Sequence, residues 1–161
     1  IDSFISSGEE NLFILTSIGR IFKYYLSNKF ITPTTKQSRG VILAKLLPTE
    51  KIVSCCKSNE KENLIVISQK GKFINIRGDK INSAQDFKLG YLNKEIQLKN
   101  DYFIKILPSN HYLDIETNKN KSARLNFDKL NYKANKNTLN VDFLNLGKDE
   151  YLENCFSFES S

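Results

Sequence analysis

Three stretches of the chain align without a gap: LFILTSIGRIFKY at residues 12–24, LIVISQKGKFINI at residues 64–76 and LDIETNKNKSARL at residues 113–125. In each stretch, two runs rich in β-branched, aliphatic or aromatic residues flank a short polar turn, which is typical of a β-hairpin. The turn position holds Gly19, Gly71 and then Asn120. Glycine adopts a positive φ freely and asparagine tolerates it better than most residues, so the three turns are predicted to share one backbone conformation.

A further predicted strand follows each hairpin. Residues 52–56, 102–106 and 151–155 occupy this position, and a short polar turn precedes each of them. Residues 1–5 fit the same position at the head of the chain. No segment shows a helical period. The sequence therefore predicts an all-β fold, a propeller-like assembly of about three four-stranded blades of roughly 50 residues, each packed on the next.

The whole chain, residues 1–161, is predicted to be a single domain. Residues 1–10 form the end of a preceding blade, and the three blades comprise residues 11–57, 63–107 and 112–158. In the first two blades both faces of the leading strand are apolar. In the third, Asp114 and Glu116 place two carboxylates on one face. Burying unpaired carboxylates is costly, so this blade is predicted to be terminal and to show that face to water.

The composition is that of an ordinary globular domain with a basic body. Of 161 residues, 40% are hydrophobic and 26% charged, and no apolar run approaches the roughly 20 residues that cross a bilayer. Residues 11–99 carry 16 Lys or Arg against 6 Asp or Glu, in a chain of net charge +6. Such a body suits a polyanion such as nucleic acid, although Lys is abundant throughout. The first residue, Ile1, and the absence of Met indicate a piece of a longer protein.

No catalytic or metal-binding constellation is visible in the sequence. His111, the one histidine, has no partner at a recognisable catalytic spacing and is predicted to lie at the surface. Cys55 and Cys56 point to opposite faces of one strand, and with Cys155 they make no tetrahedral metal set. Three cysteines in this arrangement suit a reduced intracellular protein. Aromatic residues in strand positions are predicted to pack in the core, among them Phe13, Phe22, Phe73 and Phe127.

The repeat resembles a known family. TSIGRIFK at residues 16–23, KQSRG at residues 36–40 and LL at residues 46–47 resemble the DNA gyrase A family, specifically the C-terminal β-pinwheel domain of the A subunit of bacterial type IIA topoisomerases. The family's seven-residue box, QRRGGKG, does not occur, and residues 37–40 hold at most a degenerate version. Gyrase and a topoisomerase IV-like paralogue therefore both stay open.

The resemblance implies a non-catalytic domain that binds duplex DNA on its outer rim, bends it and presents it to a cleavage core elsewhere in the subunit. The parent enzyme would change DNA topology with ATP and Mg²⁺, and neither cofactor is expected in this fragment. The implied partners are double-stranded DNA, the rest of the A subunit and the ATPase B subunit. The implied location is the cytoplasm, at the nucleoid, with no membrane.

Twelve residues are predicted to contact DNA, because phosphate binding needs spaced charges and no readout of bases. They are the turn cations Arg20, Lys70, Lys72, Lys119 and Lys121, the strand cations Lys23, Arg77 and Arg124, and the loop residues Lys36, Gln37, Arg39 and Lys88. The turn and strand cations are expected to form one stripe along a rim. A second interpretation stays open, since exposed turns are polar in any fold: a degenerate pinwheel that serves as a protein-interaction module without DNA affinity.

Overall fold

The described part of the computed structural model comprises residues 10–26, 45–59, 61–81, 91–92, 100–127 and 146–159. Its ten strands are β1 (Asn11–Thr16), β2 (Arg20–Tyr25), β3 (Ile52–Ser58), β4 (Asn63–Ser68), β5 (Phe73–Arg77), β6 (Tyr91–Leu92), β7 (Phe103–Pro108), β8 (His111–Thr117), β9 (Ser122–Asn126) and β10 (Leu152–Glu159). The described residues also include a 3₁₀ turn, Gly78–Lys80. None of their helices is long and apolar enough to cross a membrane.

The strands form three antiparallel sheets of repeated design. The orders are β3-β1-β2-β6, β5-β4-β7 and β10-β8-β9. In each sheet a hairpin (β1-β2, β4-β5 or β8-β9) takes the next long strand of the chain (β3, β7 or β10) beside its leading strand. The prediction of an all-β fold built from repeated blades is confirmed.

The first sheet also receives a strand from the second repeat. Strand β6 pairs with β2, with Leu92 opposite Arg20 and Tyr91 opposite Ile21. The first blade is therefore not built from residues 11–57 alone, and a shared strand ties two consecutive repeats together. Four strands per blade were expected, and the described residues supply four to the first sheet and three to each of the others.

The hairpin turns have the predicted backbone. Gly19 has φ 89°, Gly71 has φ 83° and Asn120 has φ 60°. In the first and third turns the next amide bonds back to a threonine hydroxyl: the amides of Arg20 and Lys121 donate to the Oγ1 atoms of Thr16 and Thr117 at 3.1 and 3.3 Å. The three turns therefore share a left-handed residue, as the alternation of Gly and Asn indicated.

Strand β4 lies between two of the three hydrophobic clusters that the described residues form. Its residues Leu64 and Val66 pack with Phe13 of the first sheet, while Ile65 and Ile67 pack with residues of the third sheet, among them Leu113. Leu64, Ile65 and Ile67 have no exposed surface. Burial of such a side chain stabilises a fold by about 1.5–3 kcal/mol, so a strand that is apolar on both faces holds its two neighbours in a stack.

The third sheet buries one face and exposes the other. Leu113 is fully buried, Asp114 is half-buried and Glu116 is exposed. Arg124 donates to both carboxylate oxygens of Asp114 at 2.8 and 3.0 Å and holds the pKa of that carboxyl below its usual value. On the same face Phe156 is 58% exposed. The exposure of the two carboxylates agrees with the expectation from their placement in the sequence.

The predicted aromatic core is confirmed. Phe13 and Phe22 have no exposed surface, and Phe73 and Phe127 meet edge to face at 5.7 Å between ring centroids. Phe13, Phe22 and Phe73 extend from strands and Phe127 directly follows β9. Each ring packs among apolar side chains, where it buries a large area.

Candidate nucleic-acid interface

The hairpin turns meet a second set of turns at one edge of the sheets. Each turn of this second set precedes the long strand of its repeat. In the first repeat the amide of Ser17 donates to the carbonyl of Lys51 at 2.8 Å. The equivalent bonds are Gln69 N–H to Tyr102 O at 2.9 Å and Asn118 N–H to Tyr151 O at 3.1 Å. We call this edge, made of residues 17–20, 48–51, 69–72, 100–102, 118–121 and 147–151, the turn rim.

Backbone hydrogen bonds also join successive repeats along the turn rim. The carbonyl of Ser17, in the first hairpin turn, accepts from the amide of Phe103 in the second repeat at 3.3 Å. The carbonyl of Gln69, in the second hairpin turn, accepts from the amide of Leu152 in the third repeat at 2.8 Å. The three turns therefore follow one another in a fixed order, and the side chains that they carry are held at a fixed spacing.

In the first repeat of the turn rim, a buried glutamate, Glu50, pairs with the turn cation. The Arg20 side chain donates to Glu50 through Nε at 2.7 Å and through Nη2 at 2.5 Å, and the Leu47 amide donates to the same carboxylate at 2.9 Å. The Glu50 side chain is fully buried. Burial alone would raise its pKa, but the bonds from Arg20, Thr16 and Leu47 outweigh that effect and hold the pKa below its ordinary value.

The third repeat builds the same arrangement with different residues. Glu150 has a fully buried side chain, and the Gly147 amide donates to it at 3.2 Å. Lys121 and Thr117 donate to it at 3.4 Å each. Burial raises the pKa of Glu150, yet these donors lower it overall. The Lys121 side chain remains 65% exposed, whereas that of Arg20 is 13% exposed.

The second repeat has an aspartate at the equivalent position. Asp101 Oδ1 accepts from the amides of Lys70 at 3.1 Å and Tyr102 at 2.9 Å. Its other oxygen, Oδ2, is buried and has no hydrogen-bond partner among the described residues. The second repeat therefore uses its acid to hold backbone amides instead of a side-chain cation.

Replacing Glu50 by Gln is expected to lower the free energy of unfolding by about 2–3 kcal/mol at pH 7, because a largely buried ion pair loses one partner. The folded-state pKa of Glu50 lies below its ordinary value of 4.5. The contribution of the pair is thus complete above about pH 5 and is lost as the pH falls through the folded-state pKa. Thermal melts between pH 7 and pH 3 measure this. The melting temperatures of the parent protein and the Glu50→Gln variant should differ at pH 7 and become equal at the acid end.

The matched control for this measurement is Glu153→Gln, which removes an exposed carboxylate from β10. It should change stability by less than about 0.5 kcal/mol. A stability difference between Glu50→Gln and the parent protein that stayed constant with pH would contradict the role given to the Glu50 carboxylate.

Four of the predicted turn cations lie exposed on the turn rim: Lys70, Lys72, Lys119 and Lys121. The Lys119 ammonium donates to the carbonyl of Lys148 at 3.1 Å. For the ammonium groups of Lys70 and Lys72, the described part of the chain offers no acceptor. The fifth predicted turn cation, Arg20, is on the rim as well, but it is held by Glu50 and by the carbonyl of Lys45 at 2.7 Å.

The three strand cations lie away from the turn rim, which corrects the expectation of a single stripe. Lys23 is buried, donates to the carbonyl of Gly78 at 3.1 Å and lies over the ring of Phe13. Arg77, at the end of β5 opposite the hairpin turn, pairs with Asp79 at 2.5 Å. Arg124 lies on the outer face of the third sheet, over the ring of Phe158. A cation in the middle or at the far end of a strand cannot share an edge with the turn.

The predicted loop contacts Lys36, Gln37, Arg39 and Lys88 lie outside the described residues. The sequence interpretation also missed rim cations. Lys51 and Lys148 are exposed in the turns that precede β3 and β10, and Lys45 is exposed next to the first of these turns. The sequence contained a signal for these cations, because the turns that carry them recur with the same period as the hairpins.

His111 lies at the surface, at the wall of an open cleft. It is half-buried in a polar cleft beside Glu62 and Glu159, and burial lowers its pKa although both carboxylates act in the opposite direction. Cys55 and Cys56 pack in different clusters, as their alternation in β3 required. Burial raises the pKa of Cys155 to about 11, so its thiol is unreactive at neutral pH. Within the described ranges no group of three His, Cys, Asp or Glu could hold a metal ion.

Three stacked antiparallel sheets, a strand shared between repeats and turns tied along one edge define a β-pinwheel. Solved structures similar to this chain include C-terminal domains of DNA topoisomerase IV and of DNA gyrase A. The crystal structure of the C-terminal domain of DNA topoisomerase IV superposes with a TM-score of 0.75 at 16% identity, over 98% of this chain and 49% of that one. No protein-family model matches the chain, and no curated protein sequence matches it.

Two further structures have the same fold. The DNA gyrase A C-terminal domain gives a TM-score of 0.63 at 24% identity, over 81% of this chain and 42% of that one. The E. coli ParC C-terminal domain gives 0.60 at 13% identity, over 96% of this chain and 64% of that one. The chain thus spans about half the length of the topoisomerase IV and gyrase domains that it resembles.

Proposed function

We propose that this chain binds duplex DNA along the turn rim and bends it, as part of the A subunit of a bacterial type IIA topoisomerase. One observation carries the proposal: backbone hydrogen bonds fix the hairpin turns of three repeats side by side, and the edge that they form exposes lysines in every repeat. The second and third hairpin turns each expose two lysines, and the exposed Lys51 lies in the turn that bonds to the first hairpin turn. The order of the repeats along the rim gives the charges a regular spacing. Regularly spaced point charges match a phosphate backbone and carry no base readout.

The charge balance of the rim supports the same partner. Six lysines are exposed there, at positions 51, 70, 72, 119, 121 and 148. Two of the acids, Glu50 and Glu150, have fully buried side chains and are paired with cations. Asp149 is an exposed acid of the described rim. The exposed surface of the rim is therefore strongly positive.

The enzymatic activity would reside in the rest of the parent enzyme. ATP and Mg²⁺ would be used there, in the A subunit core and the ATPase B subunit, in the cytoplasm at the nucleoid. This chain would contribute binding and bending, with no cofactor of its own.

The proposal predicts how affinity depends on duplex length and salt. Sheets stack about 10 Å apart and base pairs rise about 3.4 Å, so three blades span roughly 10 bp. Affinity should rise steeply with duplex length up to roughly 10–15 bp, the length that three blades can contact. Beyond that length it should rise only in proportion to the number of positions at which the protein can bind the duplex. If six phosphates are neutralised, log K should fall with log salt at a slope of roughly −5. Fluorescence anisotropy with duplexes of 6 to 40 bp measures both dependences.

A second candidate function is a protein-interaction module, and the outer face of the third sheet favours it. Phe156 and Phe158 are 58% and 37% exposed there, and Tyr112 stacks on Phe158 at 5.7 Å between ring centroids. A weak affinity for DNA that depends on neither length nor salt would support this function and overturn the first.

A further inference from the structure

The three repeats place one cation and one acid at equivalent points of the turn rim. The cation directly follows the left-handed turn residue and is Arg20, Lys72 or Lys121. The acid directly precedes the residue whose carbonyl accepts the hairpin-turn amide, and is Glu50, Asp101 or Glu150. The equivalence rests on shared backbone bonds, so differences between repeats come from the side chains alone.

Where the acid is glutamate, it holds the cation. Glu50 accepts two hydrogen bonds from Arg20, and Glu150 accepts one from Lys121 at 3.4 Å. A phosphate that approaches Arg20 must first compete with a buried carboxylate for the same donors. Breaking a buried pair leaves an uncompensated charge, so Arg20 is poorly available to DNA.

Where the acid is aspartate, the cation is left exposed. Asp101 is one methylene shorter than glutamate, and its Oδ1 is occupied by the amides of Lys70 and Tyr102. Its Oδ2 is buried with no donor among the described residues. Lys72 is exposed, and its ammonium contacts no acceptor in the described ranges.

We propose that the length of the acidic side chain in each repeat sets which turn cation is available to phosphate. The second repeat, with Lys72 beside Lys70, is then the principal DNA contact of the described rim. Lys121 is a weaker contact and Arg20 is a structural residue. This inference rests on the proposed function, because it assigns strengths to contacts on the same DNA-binding edge.

The test is a substitution that changes no charge. Asp101→Glu restores the acid that the other two repeats carry and should bring it within reach of Lys72. It is expected to lower the affinity for a 30-bp duplex about 5- to 10-fold at 0.1 M salt, the effect of one lost phosphate contact. Its melting temperature is expected to fall slightly, because the two amide hydrogen bonds that Asp101 Oδ1 accepts are worth more than the exposed ion pair that replaces them. Lys72→Ala should give the same loss, and the double variant no further loss.

Asp79→Glu is the matched control, because it makes the same chemical change beside Arg77, away from the rim. Its affinity should equal that of the parent protein. If the parent protein binds duplex with the steep salt slope but Asp101→Glu binds equally well, the inference fails and the proposed function stands. If the parent protein shows no salt-dependent binding, the proposed function fails first, and this inference with it.

The alanine series gives a reading that does not depend on how Asp101→Glu folds. The loss of affinity should be largest for Lys72→Ala, smaller for Lys121→Ala and smallest for Arg20→Ala. The loss of melting temperature should follow the opposite order. Equal affinity losses for the three variants would overturn the inference.

Discussion

Reversing Lys70 and Lys72 together, as Lys70→Glu/Lys72→Glu, is expected to lower duplex affinity at least 100-fold at 0.1 M salt. Each phosphate contact contributes a slope of about 0.9 in log salt, which corresponds to roughly 8-fold in affinity at this concentration. Two lost contacts give about 60-fold, and repulsion by the new carboxylates adds to it. Both residues are exposed, so the melting temperature should change little.

The control is Lys61→Glu/Lys80→Glu, which changes the net charge by the same amount. Lys61 precedes β4 and Lys80 follows β5, so both are exposed at the end of the second sheet opposite its hairpin turn. Their reversal should lower affinity only a few-fold, through the long-range field. Equal losses for the two double variants would mean that net charge, and not the turn rim, governs binding.

Replacing Gly19 by Ala is expected to lower the free energy of unfolding by about 2–5 kcal/mol. The residue has φ 89°, which an L side chain rarely adopts, and an added Cβ would lie 2.5 Å from the Phe103 ring. Backbone strain of about 1–2 kcal/mol adds to an overpacking cost of about 1–3 kcal/mol. Phe103 belongs to the core between the first two sheets and cannot move away cheaply.

Gly147→Ala serves as the matched control. An added Cβ there would meet Lys119 Nζ at 3.7 Å, an ordinary contact with the end of a flexible side chain. Its stability should stay within about 0.5 kcal/mol of the parent protein. Urea denaturation of the two variants measures the difference, and equal midpoints would contradict the close packing of the first turn on the second repeat.

Local features of the fold were predictable because they depend on neighbouring residues. The hairpin turns follow from Gly19, Gly71 and Asn120, each of which adopts a positive φ. The exposed face of the third sheet follows from Asp114 and Glu116, which alternate with buried residues along β8. In both cases the side chain that decides the conformation lies within the segment that it shapes.

Features that join distant parts of the chain were not predictable from the pattern. Strand β6 pairs with the sheet of another repeat, and a two-residue strand leaves no periodicity to detect. Lys23 occupies a strand position typical of an exposed cation, yet it is buried. Its ammonium donates a hydrogen bond to the carbonyl of Gly78, 55 residues away in the sequence, and this bond makes the burial possible. Charge alone does not distinguish a surface lysine from one with a buried partner.

In the candidate site, too, local features were predictable and contacts between distant residues were not. The sequence placed cations in every hairpin turn, and the turns do share one edge. It could not indicate that Arg20 is held by Glu50, because 30 residues separate the two and the pairing depends on how the turns meet. An acid recurs shortly before each long strand, and this recurrence is the sequence signal that could have indicated a partner for the turn cations.

Site-specific photocrosslinking tests most directly whether the turn rim is the DNA-binding surface. A photoreactive p-benzoylphenylalanine replaces Lys72 in one variant and Lys61 in another, and each protein is irradiated with a labelled 30-bp duplex. The account predicts a strong crosslink to DNA from position 72, suppressed by high salt, and little from position 61. A crosslink of equal yield from both positions, or a stronger one from position 61, would contradict it.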